Sequence, residues 1–151
     1  MKKIKYVFLM ILCLFLIGCN NEFAEKEYED TEKIAASADR YSKEVSVYNQ
    51  NNGGFILTVS KFNGRETLWT KSYKEACEVT FDVSFVLSEG KAKVVHIDED
   101  ETVITVMECT SDTCSSEFVT VNVPMKKGKN RIKIVGYDCE DLKLEMLPHE
   151  E

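Results

Sequence analysis

The sequence predicts an all-β fold over residues 43–148, an antiparallel β-sandwich or jelly roll of about eight or nine short strands. Three observations carry this. Cys77, Val79, Phe81, Val83, Phe85 and Leu87 alternate with Glu78, Thr80, Asp82 and Ser84, the period of a strand with one face in a core and one in water. Turn-forming clusters recur at short spacing, as Asn63-Gly64, Ser88-Glu89-Gly90, Asp98-Glu99-Asp100-Glu101 and Lys126-Lys127-Gly128-Lys129-Asn130. No long pattern of helical period lies between them.

The elements follow in chain order. Lys2, Lys3 and Lys5 precede an apolar run from Tyr6 to Ile17 that ends at Gly18-Cys19, the layout of an export signal over residues 1–18. As a helix this run would span only about 18 Å, against about 30 Å of membrane hydrocarbon, so it is too short for a stable span. Residues 19–42 are acidic and poor in apolar side chains. They read as a tether, with a short helix near 31–42 where Ile34, Ala38, Tyr41 and Val45 are spaced for one stripe. The Asn/Gly-rich stretch 49–54 reads as a loop. Phe55, Leu57 and Val59 form the first strand, Asn63-Gly64 the hairpin turn after it, and Glu66 to Tyr73 the return strand. Beyond the strand around Phe81, further strands are expected at Ala92–Ile97, Thr102–Cys109, Phe118–Met125 and Arg131–Tyr137, with a last one marked by Leu142, Leu144 and Met146.

The tetrapeptide Leu16-Ile17-Gly18-Cys19 resembles the lipobox of bacterial lipoproteins. The resemblance implies cleavage after Gly18 and a thioether-linked diacylglycerol on Cys19, with palmitate-type acyl chains holding the protein to membrane lipid on the extracytoplasmic face of the cell membrane. Two acyl chains suffice for a stable anchor where one binds marginally. The stretch Val123 to Tyr137 resembles the penultimate hairpin of extracellular jelly-roll domains, carbohydrate-binding modules among them. The mature part resembles small surface lipoproteins of low-GC Gram-positive bacteria, which implies a location and no activity. Neither resemblance carries over a binding residue.

Charge narrows the partners. The full chain has 19 basic and 26 acidic residues in 151; removing the signal takes three lysines and no acid, leaving 16 against 26, a net −10. Nucleic acid is not expected as a partner, since binding it needs clustered Lys and Arg. Four cysteines remain for an exported domain: Cys77, Cys109, Cys114 and Cys139. Disulfides are the first reading, with Cys109 to Cys114 closing a small loop and Cys77 left to Cys139, but three connectivities exist. A four-cysteine zinc site and four buried reduced thiols are the alternatives.

No metal site or cofactor is expected. His96 reads as a buried strand residue and His149 as part of the tail; neither is accompanied by a nucleophile motif, so an enzyme is not expected. Asp98 to Glu101 lack the spacing of a calcium loop and read as a solvated turn. The candidate ligand-binding residues are Arg65, Trp69 and Tyr73, which with Thr67 and Lys71 would share one face of a strand at period two; aromatic platforms beside hydrogen-bonding groups are how proteins bind sugars. The expectation is therefore a binding or interaction module with a glycan or protein ligand, the alternative being an envelope structural protein without a small-molecule ligand.

Overall fold

The computed structural model describes residues 21–51 and 53–149, and of residues 21, 22 and 51 the backbone only. The signal segment 1–18 and Cys19 lie outside the described residues. Among the described residues two short helices, α1 (Asn21–Tyr28) and α2 (Thr31–Ala35), precede seven strands: β1 (Arg40–Asn51), β2 (Gly54–Tyr73), β3 (Cys77–Val86), β4 (Glu89–Ile97), β5 (Val103–Thr110), β6 (Ser115–Met125) and β7 (Gly128–Pro148). Every strand pairing is antiparallel. Among the described residues no helix is long and apolar enough to cross a membrane.

The sandwich is organised by β2 and β7, which pair along almost their whole length, from Phe55 opposite Met146 to Tyr73 opposite Gly128. Each belongs to both layers. In one layer the first half of β2 and the second half of β7 lie between β1 and the β3–β6 pair; in the other the second half of β2 and the first half of β7 continue into β4 and β5. Strands that change layer do so through bulges and bends. The ladder shifts register between Phe62 and Gly64, where Asp138 of β7 adopts φ +51° and donates its N–H to Asn63 Oδ1 at 2.8 Å. A second shift, between Thr67 and Trp69, makes Leu68 the extra residue, and its carbonyl accepts the Tyr48 hydroxyl.

Fewer strands are present than the sequence predicts because two expected turns are strand interior. Asn63-Gly64 does not turn the chain. Gly64 instead brings β1 and β2 close together: it has φ +108°, and a Cβ there would meet the Arg40 carbonyl oxygen at 2.1 Å. Likewise the chain from Arg131 through Tyr137 to Leu142 is one bent strand. The expected helix over 31–42 ends at Ala35, and Tyr41 and Val45 lie instead on β1.

Phe55, Leu57 and Val59 of β2, Phe81, Val83 and Phe85 of β3, Leu142, Leu144 and Met146 of β7, and Ile132, Ile134, Ala92 and Val94 from the other layer fill the space between layers. Fully burying each large apolar side chain contributes roughly 1.5–3 kcal/mol.

Residues 21–39 are packed structure rather than a loose tether. Tyr28, Ile34 and Ala35 pack on Val95, Ile97 and Val135, on the outer face of the layer containing β4. This explains why β4 is buried at every position from Ala92 to Ile97: the sandwich covers one face and the helices the other. The acidic composition of the segment is matched by cations beneath it. Arg65 meets Glu27, Lys93 meets Glu29 at 3.2 Å, and Lys133 meets Asp39 at 3.1 Å. Arg131 and Lys133 also donate to the carbonyls of Ala35 and Ala36 at the end of α2, at 2.6 Å each for the nearest contacts. Cations are favoured there by the helix dipole.

Candidate binding cleft

The register shift after Thr67 separates the residues the sequence groups into one binding face. Arg65 lies on the outer face, buried against Glu27 of α1, while Trp69 points into the core, 5 % exposed, with its ring edge-on to Phe81 at 6.4 Å. Tyr73 is half-buried at the end of β2 beside the core, with Lys71 Nζ 5.1 Å from its ring centre. The three do not converge. Trp69 is core because one extra residue in β2 moves it to the other side of the sheet.

The cysteines divide in the same plain way. Cys109 and Cys114 are joined by a disulfide across the β5–β6 turn, with Cα atoms 5.0 Å apart. Because these sulfurs bond each other, they are not thiolates for zinc. Cys77 and Cys139 are not bridged; Cys77 is exposed and Cys139 buried. Phe81 stands opposite Pro148, so Cys77 lies four residues beyond that pair on one side and Cys139 nine residues from it on the other. Even with the bend of β7 at Asp141, the eleven residues of strand between that bend and the level of Cys77 exceed many times over the roughly 7 Å a bridge tolerates. Burial pushes the Cys139 thiol up to about 12.

His96 is fully buried, its Nε2 2.9 Å from Asn130 Oδ1. The Asn130 amide nitrogen donates to the carbonyls of Lys126 and Gly128, which fixes the oxygen toward the ring and makes Nε2 the donor. His149 pairs with Asp82 at 2.8 Å. The acidic turn is not simply solvated: Asp98 is 3 % exposed, accepts the N–H groups of Asp100 and Thr102, and pairs with Lys126 at 2.7 Å. Burial alone would raise its carboxyl; Lys126 and the two N–H groups outweigh it and hold the carboxyl below the usual range.

Recognition chemistry gathers elsewhere, where α1, the start of β1 and the middle of β2 meet. A cleft of about 200 Å³ is lined by Phe23, Ala24, Glu27, Arg40, Tyr41, Ser42, Asn63 and Gly64. Gly64, at the register shift of β2, contributes backbone to its lining. Tyr41 is 45 % exposed, stacked at 22° on Phe62 at 6.4 Å, with Lys43 Nζ 4.8 Å from its ring centre. The Arg40 guanidinium carbon sits 3.4 Å from the centre of the Phe23 ring. Glu27, the carboxylate of the cleft, is already engaged by Arg65 and, at 3.7 Å, by Lys33. The cleft therefore offers aromatic surface and donors, and the carboxylate among its described residues is engaged.

Sequence reasoning passes over Arg40, Tyr41 and Ser42 because the stretch reads there as the end of a helix. The alternation Tyr41, Lys43, Val45, Val47 was the available signal of a strand.

No protein-family model matches this chain, and no curated protein matches it. Solved structures of carbohydrate binding modules of family 29 are similar to it. One covers 74 % of this chain and 74 % of its own at 16 % identity, with a TM-score of 0.41. A variant solved with mannohexaose covers 74 % and 77 % at 16 % identity, TM-score 0.42, and one solved with cellulohexaose 74 % and 76 % at 16 %, TM-score 0.39. This likeness assigns no role to any residue here.

Proposed function

We propose that the protein is an extracytoplasmic lipoprotein, anchored to membrane lipid through acylated Cys19, whose β-sandwich is a non-catalytic module that binds a glycan in the cleft at Tyr41. One observation carries the reading of the site: an exposed tyrosine stands beside hydrogen-bonding groups with unspent capacity, the Arg40 guanidinium, the Ser42 hydroxyl and the Asn63 amide, in one concavity. Rings of this kind bury the apolar face of a pyranose while polar neighbours take its hydroxyls. The lipid anchor is supported by the charged, apolar and Gly-Cys sequence of residues 2–19.

The test of binding is titration of the mature domain with oligosaccharides, comparing Tyr41→Ala with Trp69→Phe. Loss of binding in the first with retention in the second supports the cleft; binding unaffected by Tyr41→Ala removes it. Anchoring is tested by Cys19→Ala, which should release the protein from membranes or leave the precursor unprocessed.

A protein ligand is the second reading, favoured by β1. It is an edge strand, and Val45 and Val47 stand 81 % and 65 % exposed on it, a template for strand addition.

A further inference from the structure

We propose that the sugar taken by this cleft carries an oxyanion, a carboxylate or a phosphate, and that Arg40 reads it. The inference rests on the cleft being a saccharide site and adds the class of saccharide.

Arg40 stands apart from the cations around it. Lys33 pairs with Glu27 and Asp30, Arg65 with Glu27, Lys43 with Glu66, Lys61 with Glu44 and Lys133 with Asp39. Arg40 makes no ion pair among the described residues; it lies against the face of Phe23. In a chain of net charge −7, an arginine with no carboxylate partner among the described residues, set in a concave site, is an uncommitted positive charge.

The stacking adds geometry to the charge. A guanidinium is planar, weakly hydrated and always protonated, and it carries its donors in a fork in the plane of the group. Lying against an aromatic face holds that plane and leaves the forked edge for a ligand. A fork of this kind matches two oxygens of a carboxylate or a phosphate and makes the stronger, charge-assisted type of hydrogen bond. Two further donors complete the set. Asn63 Oδ1 is occupied by the Asp138 N–H, so its amide nitrogen is the end left for a ligand, and Ser42 adds a hydroxyl. Among the described lining residues the one carboxylate is Glu27, and Arg65 neutralises it.

Size limits what fits. At about 200 Å³ the cleft is smaller than the roughly 300–1,000 Å³ of sites that enclose a drug-sized ligand, so it suits one acidic sugar unit rather than a long oligosaccharide.

The experiment is titration of the mature protein, followed by NMR, with glucose, glucuronate and glucose phosphate, sugars that share a ring and differ in the anion, and with inorganic phosphate alone. Arg40 is exposed on an edge strand, so Arg40→Gln and Arg40→Lys should keep the fold, which circular dichroism checks. At least one charged sugar should bind roughly tenfold or more tighter than glucose, as one charge-assisted contact allows. Arg40→Gln should remove that preference, and Arg40→Lys, which lacks the fork, should restore it only in part. Whichever of glucuronate and glucose phosphate binds tighter identifies the anion. Glucose binding as well as both charged sugars, or a preference that survives Arg40→Gln, overturns the role of Arg40 while the glycan module stands. Inorganic phosphate binding as tightly as glucose phosphate overturns the saccharide part. Binding of none of these sugars overturns the acidic-sugar reading, while the oligosaccharide titration decides the glycan module itself.

Discussion

Val45 of β1 and Asp141 of β7 flank Ser60 of β2 from opposite sides, and both have left-handed backbone, φ +40° and +47°. The three strands crease together at this line, where the sheet leaves one layer for the other. A β-branched residue pays more strain than any other for such a φ, on the order of 1–3 kcal/mol. The Val45 side chain is 81 % exposed and gives nothing back in burial. Val45→Gly should therefore stabilise the protein by about 1 kcal/mol in urea unfolding, after the extra chain entropy that glycine loses on folding. A destabilised Val45→Gly variant would show that the crease is not strained there.

The Glu27–Arg65 pair fastens α1 to β2 and is buried on both sides, with side-chain exposures of 5 % and 9 %. Glu27→Gln leaves the guanidinium buried without a counter-charge, at a cost of roughly 3–5 kcal/mol. Limited proteolysis of the variant should cut first within residues 21–39, before the sandwich. Protease resistance equal to the wild type would show that the helices are held by their apolar contacts alone.

Thiol chemistry follows from the cysteine placement. In the mature domain without reductant, Cys77 should react with a thiol reagent in the folded state, Cys139 should react after unfolding, and Cys109 and Cys114 only after reduction. Closing so short a loop contributes about 2 kcal/mol by restricting the unfolded chain. Four reactive thiols in the unfolded, unreduced protein would contradict the bridge.

Acid should unfold the domain through identifiable carboxylates. Asp98 and Asp39 are both held low in the folded state, Asp98 against its burial by Lys126 and backbone N–H groups, Asp39 against its burial by Thr67 and Lys133. A carboxyl with a depressed folded pKa binds fewer protons folded than unfolded near pH 4. Its contribution is complete above the unfolded value of about 3.9 and is lost as pH falls through the lower folded value. Melting temperature should thus stay level between about pH 5 and 7 and fall below about pH 4. Asp98→Asn should melt lower at neutral pH and lose less on acidification; an unchanged acid slope would remove Asp98 from this account.

The sandwich class is legible in the sequence because Phe81, Val83 and Phe85 alternate with polar residues, and local alternation is a local property. The Cys109–Cys114 bridge is legible for the same reason, lying within one turn. Where the reading goes astray, the deciding partner is distant. Asn63-Gly64 is a turn by composition, and becomes strand interior because Gly64 lets the Arg40 carbonyl approach. Residues 21–39 look like a solvated tether because their acids are visible, while Arg65, Lys93, Arg131 and Lys133, the cations that bury them, are scattered over three strands. The binding face expected at Arg65, Trp69 and Tyr73 fails on a single inserted residue, Leu68, since one step reverses every side chain after it.

The pairing of β2 with β7 also governs when this chain can fold. Phe55 meets Met146 and Tyr73 meets Gly128, contacts that close loops of 91 and 55 residues. Loop entropy on that scale is spent before either layer gains its central pair, the circumstance in which folding falls to the millisecond-to-second range. Both layers take their middle strand from β7, so a chain lacking those residues holds only the β1–β2, β3–β6 and β4–β5 pairs, and an isolated two-stranded ribbon is marginal in water. Folding here is late and collective, and it waits on residues 128–148.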